Sequence, residues 1–211
     1  MKFCDGNTLK NFIDKHMKDN SLIKENILNK IVKQICIGLK EIHNNKIVHR
    51  DLKPENIYLN DNMNIKIEDF DILKQLNLYQ THELSKLKAG SDYYIAPKIK
   101  YQGIYNEKSD IWSLGCIIYE LFTLNIYFID TISRKIKKID SNIFNYKWQE
   151  LIDSLLQPDY KKRFDINQVC EFLEDELNIN NKDSLNKENN IIKMKIDNKN
   201  KWKNNWFYIL L

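Results

Sequence analysis

Glycine and proline are scarce in this chain, at five and three of 211 residues. None of the five glycines forms a G-x-G-x-x-G spacing, so no glycine-rich phosphate loop of that kind lies within these residues. Each remaining glycine or proline therefore marks a specific backbone need. The four cysteines, Cys4, Cys36, Cys116 and Cys170, are far apart and form no C-x-x-C pair. That spacing argues against a zinc site or a disulfide framework. Three of them fall in apolar helical patterns and read as buried reduced thiols of a cytoplasmic or nuclear protein. No run of about 18 apolar residues occurs, so no segment reads as membrane-spanning. The opening "MKFCDGNTLK" lacks the apolar core of a secretory signal. The net charge is only +4, with acids and bases interspersed. Without a basic stripe or a known module, nucleic acid is not an expected partner.

What is present suffices for one packed domain with a tail, since 43% of the residues are hydrophobic. "LKNFIDKHM" places Leu9, Phe12, Ile13 and Met17 at helical spacing. A longer stripe of Ile27, Leu28, Ile31, Ile35, Leu39 and Ile42 predicts a helix over 24–44, capped by Asn20 or Ser21. Two short β-type pieces, 57–59 and 65–67, flank the turn "NDNMN". A polar stretch over 74–91 reads as a long loop. "DIWSLGCIIYELFT", over 110–123, is apolar on nearly every face and predicts a buried central helix. Further amphipathic helices are expected over 148–156 and 166–177. Residues 178–211 are rich in Asn and Lys and read as a disordered or loosely docked tail. The tail ends in the apolar "WKNNWFYILL", which is expected to dock onto the domain.

The densest chemistry is "HRDLKPEN", residues 49–56. Asp51 is suited to accept a hydroxyl proton. Lys53, two residues on, can offset charge on a transferring phosphoryl group. Asn56 offers an amide oxygen, a hard donor suited to Mg²⁺. Pro54 stiffens the stretch between them. Asp69, beyond the hairpin, adds a second hard oxygen donor. An acid, a cation and two oxygen ligands fit phosphoryl transfer, where positioning and electrostatics do most of the work. His49 has no Ser or Cys in a nucleophile-elbow setting, so acyl-transfer chemistry is not expected.

This octet resembles the catalytic loop of eukaryotic protein kinases, H-R-D-L-x-x-x-N, and fits it in full. Further matches follow in the family's order: "DFD" at 69–71 for D-F-G, "APK" at 96–98 for A-P-E, "SDIWSLG" at 109–115, and "PDYKKRF" ending at Phe164. The resemblance covers about residues 1–177. It implies a mainly helical (α+β) kinase C-lobe with a small β-hairpin at the catalytic and metal loops. It also implies a Ser/Thr protein kinase using ATP and Mg²⁺, with a protein as substrate. Asp51 would be the catalytic base, and Lys53 would touch the transferred phosphate. Asn56 and Asp69 would hold Mg²⁺. The backbone of Lys2 and Cys4 would contact adenine, and Tyr58 would lie in the floor of that pocket. Phe70 and His49 would stack in a hydrophobic column. Ser91 would place its hydroxyl on the catalytic Asp, and Asp110 would brace the catalytic loop. Arg50 resembles the arginine of kinases controlled by loop phosphorylation, with Tyr79, Thr81 and Ser85 as candidate acceptors.

The same resemblance marks departures. The opening "MKFCDGNTL" is similar to the hinge between kinase lobes, and the glycine loop and strand Lys of an N-lobe are not among these residues. The expectation is a chain that begins in mid-domain and is weak alone. Its lobe face would be covered by an N-lobe or a partner protein. Asp71 replaces the Gly of D-F-G. Lys98 replaces the Glu of A-P-E, which in the family pairs with the arginine matching Arg163. Lys98 is then expected to turn to solvent and Arg163 to find Asp159 or Glu174. The hinge and loop are also similar to mitotic-type or initiation-factor-kinase-like branches. The alternative is a catalytically inactive kinase-like C-lobe that binds partners.

Overall fold

The computed structural model describes residues 8–68, 91–97, 105–127 and 138–175. Among the described residues five α-helices carry the fold: α1 (Leu9–Lys18), α2 (Glu25–Asn44), α3 (Glu107–Thr123), α4 (Lys147–Leu155) and α5 (Ile166–Asp175). Between α2 and α3 lie a short 3₁₀ turn, Pro54–Asn56, and the strands β1 (Ile57–Leu59) and β2 (Ile65–Ile67). Another described 3₁₀ turn, Ser91–Tyr94, precedes α3. The loop expected over 74–91 falls outside the described residues except for Ser91, and the tail 178–211 lies wholly outside them. Among the described residues no helix is long and apolar enough to cross a membrane.

α1 begins at Thr8, whose Oγ1 accepts the Asn11 N–H at 3.2 Å. Leu9 and Ile13 are buried, but Met17 is 47% exposed. At 100° per residue Met17 has turned about 80° away from Leu9, so the expected stripe loses its last member. The expected cap of α2 is also corrected. Lys24 holds the cap position and makes no side-chain cap bond. Asn20, at φ 47°, and Ser21, whose N–H donates to the His16 carbonyl at 3.0 Å, instead close the end of α1.

α2 buries Leu28, Ile31, Val32, Ile35 and Leu39, and packs against α5 and β2. The strands pair antiparallel, with Ile57 opposite Ile67, Tyr58 opposite Lys66 and Leu59 opposite Ile65. Asn60 closes the turn, its Oδ1 accepting the N–H groups of Asn62 and Asn64 at 3.0 and 2.9 Å. Gln34 of α2 ties the hairpin down through Ile65 N–H at 3.1 Å and the Met63 carbonyl at 2.9 Å.

α3 is buried along its whole length from Ser109 to Thr123. It starts three residues earlier than expected because Asn106 and Ser109 cap it. The Asn106 N–H donates to Ser109 Oγ at 3.1 Å. Leu124, at φ 54°, ends it. Gly115 lies where α3 crosses α4. A Cβ added there would stand 2.8 and 2.9 Å from side-chain atoms of Leu156 and Leu155. A Gly115→Ala chain should therefore lose about 1–3 kcal/mol in urea unfolding through overpacking. An unchanged midpoint would show that the helices separate freely. α5 is capped by Asp165, whose Oδ1 accepts the N–H groups of Asn167 and Gln168, both at 3.0 Å. Residues 176 and 177, included in the expected helix, lie outside the described residues.

Candidate active site

The octet leaves α2 through a tight turn and reaches β1 within a few residues. Its geometry depends on Asp110, in the first turn of α3. Asp110 is 1% exposed. Its Oδ2 accepts the His49 N–H at 2.8 Å and the His43 Nε2–H at 2.9 Å. Its Oδ1 accepts the Arg50 N–H at 3.0 Å. The helix cap is Asn106, so Asp110 is left to brace the octet. Arg50 itself sits at φ 72°, a left-handed conformation that costs a non-glycine residue energy. The two amides fixed by Asp110 flank that torsion and hold it.

His49 is fully buried. Its Nδ1 accepts the Asp51 N–H at 3.3 Å, and its Nε2–H donates to the Glu68 carbonyl at 3.1 Å. These two bonds require the neutral tautomer protonated at Nε2. Burial lowers the pKa in the same direction, against the pull of Asp110 and Asp51. The imidazole is thus a fixed spacer between the Asp51 loop and the end of the hairpin. Its expected partner in the hydrophobic column, Phe70, lies outside the described residues.

Asp51, Lys53 and Asn56 are brought together. Lys53 Nζ donates to Asp51 Oδ2 at 2.7 Å. Asn56 Nδ2 donates to the Asp51 carbonyl at 2.8 Å and to Oδ2 at 3.0 Å. Pro54 opens the 3₁₀ turn that swings Asn56 back, closed by Asn56 N–H to the Lys53 carbonyl at 3.0 Å. The Asp51 side chain is 44% exposed, against 17% for Lys53. Among the described residues both side-chain bonds to the Asp51 carboxylate fall on Oδ2, so Oδ1 is the oxygen open to an incoming hydroxyl. The Asn56 amide nitrogen is committed to Asp51, which turns its oxygen the other way, as a hard cation requires. Asp69, the second expected ligand, lies outside the described residues. Among the described residues no three His, Cys, Asp or Glu side chains cluster as a metal site.

The remaining expected residues divide. Tyr58 is half-buried on β1 and bridges to Thr8 at the start of α1. Lys2, Cys4, Asp71, Lys98, Tyr79, Thr81 and Ser85 lie outside the described residues. Ser91 is placed in its 3₁₀ turn, but its side chain lies outside them too. The Arg50 guanidinium sits 6.0 Å from the Tyr105 ring centroid, and its buried Nε has no partner among the described residues.

Arg163 corrects an expectation. It does not pair with Asp159 or Glu174. Its Nε and Nη2 donate to the Gln157 carbonyl at 3.1 and 2.7 Å, and its Nη1 donates to the Lys108 carbonyl at 2.6 Å. The guanidinium lies 5.0 Å from the Trp112 ring centroid. At 2% exposure, backbone carbonyls satisfy its fork without desolvating a second charge. Burial brings its pKa down to about 10.

One buried carboxylate had no signal in the sequence. Glu120 of α3 is fully buried, and Tyr94 Oη–H donates to its Oε2 at 2.5 Å. Among the described residues its Oε1 has only the Lys10 ammonium, 3.6 Å away. Burial raises its pKa above the ordinary 4.5, while Tyr94 and Lys10 pull the other way. An acid whose folded pKa is raised stabilises the fold below its unfolded value, and that contribution is lost as pH rises through the folded value. The melting temperature of the native chain minus that of Glu120→Gln should therefore fall as pH climbs from about 4 towards 7. A flat difference across that window would rule the effect out.

A model of the protein kinase domain matches residues 1–173. The chain belongs to the protein kinase family. It is 34% identical over 179 residues to the serine/threonine-protein kinase Nek1 of Mus musculus, covering 81% of this chain and 14% of that one. It is 39% identical over 131 residues to Nek2 of Mus musculus, covering 59% and 29%. It is 35% identical over 182 residues to the probable serine/threonine-protein kinase nek2 of Dictyostelium discoideum, covering 80% and 42%. The chain thus spans less than half the length of these relatives. The mostly helical content and the small two-stranded hairpin of the described residues fit a protein kinase domain, and the kinase-like octet is the stretch that Asp110 braces.

Proposed function

We propose that this kinase chain carries the catalytic loop of a serine/threonine protein kinase, transferring the γ-phosphoryl group of ATP to Ser or Thr hydroxyls of a protein. The observation that carries the reading is the Asp51–Lys53–Asn56 cluster. Asp51 Oδ1 would take the hydrogen bond, and then the proton, of the attacking hydroxyl. Lys53, held on Oδ2, would sit beside the incoming phosphate and offset its charge. Asn56, with Asp69, would hold Mg²⁺, which when bound neutralises charge on the phosphates. Tyr58, with the backbone of Lys2 and Cys4, would face the nucleobase. The buried Nε of Arg50, which has no partner among the described residues, fits a phosphorylated loop residue as its anion. An N-lobe or partner protein against the nucleotide face would complete the phosphate site. Location in the cytoplasm or nucleus belongs to the same proposal and rests on the spacing of the four cysteines, which form no C-x-x-C pair.

The test is a capture of the protein from its own cells with an antibody against 178–211, followed by incubation with labelled ATP and mixed Ser/Thr peptides. Label on Ser or Thr, lost in an Asp51→Asn variant captured the same way, is the expected result. Equal labelling by the two overturns the reading.

A further inference from the structure

The hairpin ladder runs one step beyond its strands. The Glu68 N–H donates to the Asn56 carbonyl at 2.9 Å, which sets Asn56 opposite Glu68 as Ile57 is set opposite Ile67. Side chains alternate along a strand, and cross-strand partners share a face. Ile57, Leu59, Ile65 and Ile67 take the core face, none more than 2% exposed. Tyr58, Lys66 and Glu68 take the other face, and Asn56 ends the row. On that second face Lys66 Nζ makes an ion pair with Glu68 Oε1. Their side chains are 8% and 17% exposed, so the pair is set largely within protein.

An ion pair so enclosed is weak evidence for stability, because taking both charges out of water offsets most of their attraction. Apolar side chains would serve the hairpin as well. The pair's position gives its charge another use. Glu68 stands across the ladder from the amide assigned above to Mg²⁺, and one residue before Asp69. It shares its face with Tyr58, assigned to the nucleobase.

We propose that Glu68 and Lys66 set the charge of the nucleotide site, Glu68 favouring metal-bound over metal-free nucleotide and Lys66 limiting that preference. The proposal rests on the kinase reading of the site. A carboxylate on the residue that faces Asn56 across the ladder repels bare triphosphate and attracts the cation that accompanies it. The Lys66 ammonium, held on the same carboxylate, offsets part of both effects. The two charges therefore act in opposite directions, which a purely structural pair would not do.

The probe is a fluorescent ATP analogue titrated into the 211-residue chain, once in EDTA and once in excess Mg²⁺. The quantity read is the ratio of the metal-free to the metal-bound Kd. Glu68→Gln keeps the side chain's shape and should lower this ratio by about tenfold, mainly by tightening metal-free binding. Lys66→Met keeps the stem and should raise it, and the double variant should return near the native ratio. Circular dichroism of each variant confirms that it is folded. Shifts of the same sign in both single variants, or no shift in either, overturn the proposal while leaving the nucleotide site standing. No binding of the analogue to any of the proteins overturns the nucleotide-site reading and this proposal with it.

Discussion

Exchanging Asp110 for alanine should destabilise the fold by about 3–5 kcal/mol, and should lower its melting temperature by roughly 6–20 °C. Three donors depend on this one carboxylate: the His49 and Arg50 amides and the His43 imidazole. Asp110 and His43 are both buried, away from bulk solvent. Each orphaned donor then carries its own desolvation cost. Arg50 adds to the loss, because its left-handed backbone is held only while its amide is pinned. Asp110→Asn keeps one acceptor oxygen but points an N–H₂ group at the remaining donors, so it should recover only part of the stability. Phosphoryl transfer should fall further than stability does, because Asp51 follows directly on the released torsion. A melting temperature within a degree or two of the native value would mean that the loop holds its shape without the brace.

The second large effect is expected at Asp51. Asp51→Asn should slow phosphoryl transfer by about 10²–10⁴-fold, the range attached to loss of a positioned general base. The substitution is nearly isosteric. An Asn side-chain oxygen in the place of Oδ2 can still accept from Lys53 and Asn56, so the loop should fold unchanged. What is lost is the proton acceptor at Oδ1. Nucleotide binding should then stay within a few-fold of native while turnover collapses, a split that misfolding would not produce. Turnover within tenfold of native would remove Asp51 from the role of base.

These two residues also mark how far the sequence could be read. Asp51, Lys53 and Asn56 are legible because they lie within six residues and a short turn brings them together. The hairpin bounds, 57–59 and 65–67, are legible for a similar reason: alternation and a polar turn are local signals. The start of α3 was misplaced because Asn106 and Ser109 precede its apolar run. The capping of α2 was misplaced because a polar residue ahead of a helix can close the previous one as well as open the next.

The sequence by itself determined the family, the helical character of the described residues, the hairpin and which side chains are candidates for the site, all of which are encoded in short patterns. Only the tertiary structure decided which distant groups meet. Asp110 reaches the loop across some 60 residues, and Arg163 turns to the carbonyls of Gln157 and Lys108 instead of an acid. Glu120 meets Tyr94 and Lys10 from separate segments. Lys66 and Glu68 share a face with Asn56 only because the ladder runs one step past its strands. The physical reason is common to all four. A buried polar group takes whatever partner the packing of helices and strands brings within hydrogen-bond reach, and that packing is a property of the whole core, which no local spacing records.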